Sequence, residues 1–118
     1  MKRLVLAAGV LLASAFGAQA QNIGGNYAVN GTNFDGSPYQ GTAEVRLTSE
    51  TTCEIFWTTG GSTSSGICMR NGPAFSAGYE LNGKVGLVIY QVFEDGHMEG
   101  LWTIAGTNGL GTENLTPQ

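Results

Sequence analysis

Residues 53–68 read CEIFWTTGGSTSSGIC and contain both cysteines of the chain. Gly60 and Gly61 stand at the centre, and a Gly-Gly pair suits a two-residue hairpin turn whose central residues take positive φ. Across such a hairpin, paired residue numbers have a constant sum. Gly60 and Gly61 set that sum at 121, and 53 and 68 also sum to 121. The spacing therefore predicts Cys53 opposite Cys68, with Cα atoms about 4.5–5.5 Å apart, within reach of a disulfide. Closing the loop is worth about 3 kcal/mol in the chain-entropy model. That is a large share of the stability of a small domain.

The rest of the chain repeats this strand-and-turn pattern. Asp35-Gly36, Asn71-Gly72-Pro73, Asn82-Gly83, Asp95-Gly96 and Asn108-Gly109 tolerate positive φ, and with Gly60-Gly61 and Ser49-Glu50-Thr51 they mark seven turns between eight strands. Residues 39–48 alternate most clearly: Tyr39, Gly41, Ala43, Val45 and Leu47 share one face, while Gln40, Thr42, Glu44, Arg46 and Thr48 share the other. An odd loop at 49–51 carries Cys53, Ile55 and Trp57 to the inner face, followed by Ser64, Gly66 and Cys68 on the next strand. Phe75, Ala77, Tyr79 and Leu81 continue it. A two-residue turn at Asp95-Gly96 predicts Phe93 opposite Met98, Ile89 opposite Trp102 and Leu87 opposite Ile104, which leaves Tyr90 on the outside with Phe56. The last strand covers 110–115, and 116–118 is expected to fray.

Eight short antiparallel strands in sequence predict an all-β, up-and-down barrel closed on itself, with an open β-sandwich as the alternative. At this strand number the interior is filled by side chains or holds one small ligand. The inner set mixes Tyr27, Tyr39, Trp57, Phe75, Tyr79 and Trp102 with Gly31, Gly41, Ala43, Gly66, Ala77 and Gly100. Large residues against small ones favour a filled core over a ligand cavity.

Residues 1–20 read differently. Lys2 and Arg3, the apolar run LVLAAGVLLASAF and the ending Ala18-Gln19-Ala20 have the form of a secretory signal peptide, which leaves 21–118 as a single domain. The apolar run is shorter than the ~20 residues of a membrane-spanning helix. Export to the periplasm or beyond the cell agrees with the cysteine pair. The full chain carries −4, and 21–118 keeps Arg46, Arg70 and Lys84 against nine carboxylates, or −6. Three scattered cations make a poor surface for nucleic acid or anionic membranes.

Few residues carry a chemical signal. Glu94, the lone histidine His97 and Glu99 form a weak polar cluster that could ligate a divalent cation or raise the imidazole pKa. One imidazole and two mobile carboxylates lack the fourth ligand and outer support of a specific site, so an ordinary surface cluster is the simpler reading. Ser62, Ser64 and Ser65 lie in a hairpin without the strand–turn–helix of a nucleophile elbow. Both cysteines are committed to each other. GTNGLGTE lacks phosphate-loop spacing. No catalytic, cofactor or metal site is expected, and the aromatics Trp57, Trp102, Tyr79 and Tyr90 are the candidate binding or core residues.

The strings YAVNGTNFDGSPYQGTAEV, TTCEIFWTTGGSTSSGICMR and VGLVIYQVFEDGHMEGLWTIAG resemble a family of small exported alphaproteobacterial proteins, many labelled fibronectin-binding protein. The resemblance covers nearly all of 21–118 and implies a cell-envelope protein that holds a protein partner such as fibronectin. In strand rhythm the chain also looks like calycin-style barrels such as avidins and small periplasmic inhibitors, which is fold analogy. Two classes of function follow. One is a non-enzymatic binder of a protein partner, an inhibitor of a secreted hydrolase being a variant of it. The other is a carrier of a small apolar ligand inside the barrel, with Trp57, Trp102 and the tyrosines lining the space.

Overall fold

The computed structural model of the protein describes residues 22–118, so segment 1–20, expected to be a signal peptide, lies outside the described residues. Eight strands follow in order: β1 Gly25–Thr32, β2 Pro38–Leu47, β3 Thr52–Thr59, β4 Ser62–Asn71, β5 Ala74–Leu81, β6 Lys84–Val92, β7 Met98–Ile104 and β8 Gly111–Pro117. Each pairs antiparallel with its successor, and β1 pairs with β8. The sheet is a closed barrel, which excludes the open sandwich and leaves no unpaired edge.

The cysteine hairpin sets the register of its neighbours. Thr59 pairs with Ser62 across Gly60-Gly61, whose φ angles of 56° and 82° fit a two-residue turn of the type that matches strand twist. Cys53 stands opposite Cys68 with Cα atoms 4.9 Å apart, and the two form a disulfide. Leu47 pairs with Cys53 and the Thr48 N–H donates to the Thr52 carbonyl at 2.9 Å, which leaves the odd loop 49–51 between them, and Cys53, Ile55 and Trp57 point inward as the alternation requires.

The hairpin of β6 and β7 departs from the expected register. Val92 pairs with Met98, Tyr90 with Gly100 and Val88 with Trp102, one residue away from a two-residue turn at Asp95-Gly96. The connection spans 93–97, where the Asp95 carboxylate accepts the His97 N–H at 2.9 Å and the Phe93 carbonyl accepts from Gly96 at 2.9 Å. Asp95 thus closes a side-chain turn in place of a tight backbone turn. A one-residue shift reverses every side chain. Val88, Tyr90 and Val92 are buried, while Leu87 and Ile89 are about 60% exposed.

Two smaller expectations also change. The turn before β8 uses Gly106, with φ of 84°, in place of Asn108-Gly109. The C-terminus does not fray: Thr116 and Pro117 pair with Ala28 and Tyr27, and the Gln118 N–H donates to the Asn26 carbonyl at 3.0 Å.

The direction of the strands gives the barrel two ends. Residues 22–24, the C-terminus and the connections at 48–51, 72–73 and 93–97 close one end, where Ile23, Phe75, Met98 and Leu115 are buried and Tyr27 donates to the Ile23 carbonyl at 2.5 Å. Full burial of each such apolar side chain contributes about 1.5–3 kcal/mol. The connections at 33–37, 60–61, 82–83 and 105–110 surround the other end.

Candidate functional site

At the loop-rimmed end the interior is not filled. A cavity of about 250 Å³ opens there, lined by Tyr39, Trp57, Ser64, Tyr79, Trp102 and Glu113 among others. The filled core expected from the alternation of large and small residues therefore occupies only the closed end. The aromatic walls are held by glycines on adjacent strands. Tyr39 lies opposite Gly31, Tyr79 opposite Gly86, Tyr90 opposite Gly100 and Trp102 opposite Gly111. At each of these glycines a Cβ would overlap the facing ring, so the missing side chain is what lets the ring lie flat across the strand.

The rings also brace one another. Trp57 and Tyr79 have centroids 5.1 Å apart at 60°, and Tyr39 meets Trp102 edge-on at 6.3 Å. Phe34, from the 33–37 connection, packs against Trp102 with centroids 4.6 Å apart. Edge-on and tilted contacts of this kind are each worth about 0.5–1.5 kcal/mol beyond their buried area.

Glu113, on β8, lies at the base of the cavity. It is 6% exposed, the only charged residue in the buried set among those described. Oε1 accepts the Tyr39 hydroxyl at 2.7 Å, and Oε2 accepts the Trp57 indole N–H at 2.8 Å and the Tyr90 hydroxyl at 2.5 Å. Burial pushes the hydroxyl pKa values of Tyr39, Tyr79 and Tyr90 upward, and the negative charge of Glu113 pushes them further, Tyr79 to about 12. The tyrosines thus remain neutral donors. Burying a carboxylate is costly unless donors replace its water, and three converge here.

The sequence-predicted residues divide accordingly. Trp57, Trp102 and Tyr79 line the cavity, while Tyr90 points inward beneath it, against the outward position that a two-residue turn at Asp95-Gly96 implied. Cys53 and Cys68 lie away from the cavity, in the packed core. At the opposite end His97 lies between two carboxylates, but the first is Asp95 in place of Glu94: Nδ1 meets Asp95 at 2.5 Å and Nε2 meets Glu99 at 3.1 Å. The Asp95 hydrogen bond, then that of Glu99, raises the imidazole pKa, and the ring stacks on Phe93 at 4.4 Å. Among the described residues, no group of three or more His, Cys, Asp or Glu side chains is placed to hold a metal ion.

Glu113 was not among the sequence candidates. Its signal is parity: it is two residues from Leu115 and so shares the inner face. Leu110, of opposite parity and 62% exposed, obscures that signal, because one leucine at each phase leaves the strand's inner face undecided.

A second surface lies on the outer wall. Ile67 and Leu87 flank Gly78, and Met69, Ser76, Ile89 and Leu101 form the adjacent row across β4 to β7. Ile67, Met69, Leu87, Ile89 and Leu101 are all exposed. The wall formed by β2 and β3 is polar by contrast, with Arg46 bridging Glu44 at 3.1 Å and resting over Phe56.

No family model and no curated protein matches the chain. Several solved structures share its fold. A redesigned β-barrel aligns over 86% of this chain and 96% of its own at 16% identity, with a TM-score of 0.71. The redesigned barrel mFAP1, bound to DFHBI, aligns over 84% and 98% at 19% identity, with a TM-score of 0.70. A de novo designed fluorescence-activating barrel aligns over 86% and 98% at 18% identity, with a TM-score of 0.67. At these identities the likeness is one of fold: a closed eight-strand antiparallel barrel.

Proposed function

We propose that the protein is an exported, non-enzymatic binding protein that takes a small molecule with a flat apolar body into the rimmed end of its barrel. The cavity of about 250 Å³, walled by two tryptophans and two tyrosines, carries this reading. Ligand sites are concave and mostly apolar, with a few converging polar groups, and the mouths of β-barrels are a common place for them. The likeness to a barrel bound to DFHBI supports the capacity of the fold. The disulfide suits an oxidising compartment. Among the described residues the lining serines Ser62 and Ser64 have no hydrogen bond to a carboxylate or imidazole, and the Tyr39 hydroxyl beside Glu113 has its pKa pushed up, which favours binding over catalysis.

Titration with 2-phenylethanol tests this directly. The emission of Trp57 and Trp102 is expected to change saturably, and Ser64→Leu, which fills the cavity from β4, is expected to abolish the change. An emission in the folded wild-type protein that responds neither to 2-phenylethanol nor to its amine and carboxylate analogues contradicts the reading.

The exposed apolar rows on β4 to β7 favour a second reading, a docking surface for a protein partner. Contiguous apolar patches on a small protein mark interaction sites, and the family resemblance names fibronectin as the partner to try. Saturable binding to immobilised fibronectin at physiological salt, weakened by Ile67→Ser with Leu87→Ser, is the expected result. Binding that disappears at that salt contradicts it.

A further inference from the structure

The cavity could accept a neutral apolar molecule on ring contacts alone, but Glu113 has another consequence. Its three hydrogen-bond partners, Tyr39, Trp57 and Tyr90, are all neutral. All three donate, so the arrangement fits the ionised carboxylate, which accepts only. A carboxylate offers about four acceptor positions. Oε1 has Tyr39 as its one side-chain donor, which leaves a position on that oxygen, and Glu113 is part of the cavity lining. The cations among the described residues lie elsewhere. Arg46 pairs with Glu44 on the outer wall, Arg70 donates to the Gly72 carbonyl at the closed end, and Lys84 is exposed at the start of β6.

A buried negative charge facing a cavity, with only dipoles to balance it, creates a negative potential in that space. The walls add to it. The faces of indole and phenol rings carry the negative end of the ring quadrupole and attract cations, and a group of such rings is the recurrent means of holding an organic ammonium. Trp57, Tyr79, Tyr39 and Trp102 present four rings around the same carboxylate.

We infer that the cavity selects a small organic ammonium ion, its charged nitrogen meeting Glu113 Oε1 and its body lying among the rings of Trp57, Tyr79, Tyr39 and Trp102. This rests on the cavity being a ligand site, and it specifies the ligand's charge. Neutral molecules of the same shape enter more weakly, and anions are excluded by the carboxylate.

The test uses three molecules that share one ring and differ in the tail: 2-phenylethylamine, 2-phenylethanol and phenylacetate. Each is titrated at neutral pH into the disulfide-bonded protein, followed by tryptophan emission and calorimetry. A hydrogen bond to a charged group predicts a preference for the amine over the alcohol of about ten- to a hundred-fold, with phenylacetate weakest. Glu113→Gln, with folding confirmed by near-ultraviolet circular dichroism, is expected to bring the amine to the alcohol's affinity. Equal affinities of amine and alcohol for the wild-type protein overturn the charge selection while leaving the cavity a ligand site, whatever the fate of the variant. A preference that survives Glu113→Gln also overturns it. Failure of all three molecules to bind overturns the ligand site itself.

Discussion

The two ends of this barrel are built from the same eight strands and use their inner positions in opposite ways. At the closed end Phe75, Ile55, Met98, Leu115 and Val29 are all but inaccessible, and Ile23 is buried in the same cluster. At the open end the inner positions carry Tyr39, Trp57, Tyr79, Trp102 and Glu113, and the rings lean on glycines and on one another around a cavity. The connections do not create this difference. Residues 33–37 at the open end and 93–97 at the closed end share one hydrogen-bond pattern, with Asp35 and Asp95 each accepting the N–H two residues on at 2.9 Å. Gly36 and Gly96 take nearly the same φ, 87° and 91°. Side-chain chemistry inside the wall, more than loop geometry, makes one end a core and the other a site.

The contrast is most exposed to substitutions that remove volume. Phe75→Ala at the closed end is expected to cost about 3–5 kcal/mol, because a packed core relaxes poorly around a lost ring. Ser64→Ala, beside existing space, is expected to stay within about 0.5 kcal/mol. Urea denaturation of the two variants measures both, and equal losses would mean that the ends are packed alike. Next in size is the disulfide. Replacing Cys53 and Cys68 by alanine removes a cross-link over 15 residues and is expected to cost about 3 kcal/mol. Its position in the packed core predicts that ligand affinity at the open end stays the same in that variant.

Alkaline pH acts mainly on the open end, although burial also raises the hydroxyl pKa of Tyr27 at the closed end. Tyr39, Tyr79 and Tyr90 have folded-state pKa values above the ordinary value of 10 because burial, then the Glu113 charge, opposes the phenolate. A raised pKa stabilises the fold in full below the unfolded value. That contribution declines as pH rises above about 10 and, for Tyr79, is used up through about 12. Stability followed by urea denaturation across this range should fall, and Tyr79→Phe should flatten part of the fall. The smallest effect lies at the closed end, on the surface. A proton NMR titration is expected to place His97 above its ordinary pKa of 6.5, and Asp95→Asn to lower it, since the Asp95 hydrogen bond is the main cause. The stability this pair contributes is present below the unfolded pKa and is lost as pH rises through the higher folded one.

How far the sequence discloses the structure also differs between regions. The cysteine hairpin is legible because Gly60-Gly61 demands a specific turn and the cysteines check its register independently. The inward set of β2 and β3 follows from clear alternation. Strand β6 reads KVGLVIYQV, apolar at both phases, so only the turn could set its register, and Asp95-Gly96 fits both a two-residue hairpin and the five-residue connection that forms. The outcome is decided by the Asp95 side chain capturing the His97 N–H, a local contact that residue spacing does not specify. Glu113 is hidden for a related reason. A charged residue on a weakly patterned strand reads as solvent-facing, and the three donors that make its burial tolerable come from β2, β3 and β6.

The division of the interior into a packed end and a receptive one is tested most directly by amide and indole NMR chemical shifts during titration with 2-phenylethylamine. Shifts are expected to be confined to the Trp57 and Trp102 indoles, Ser64, Tyr79 and Glu113, while Phe75, Met98 and Leu115 stay in place. Shifts spread equally over both ends, or confined to the outer wall around Ile89 and Leu101, would contradict the account.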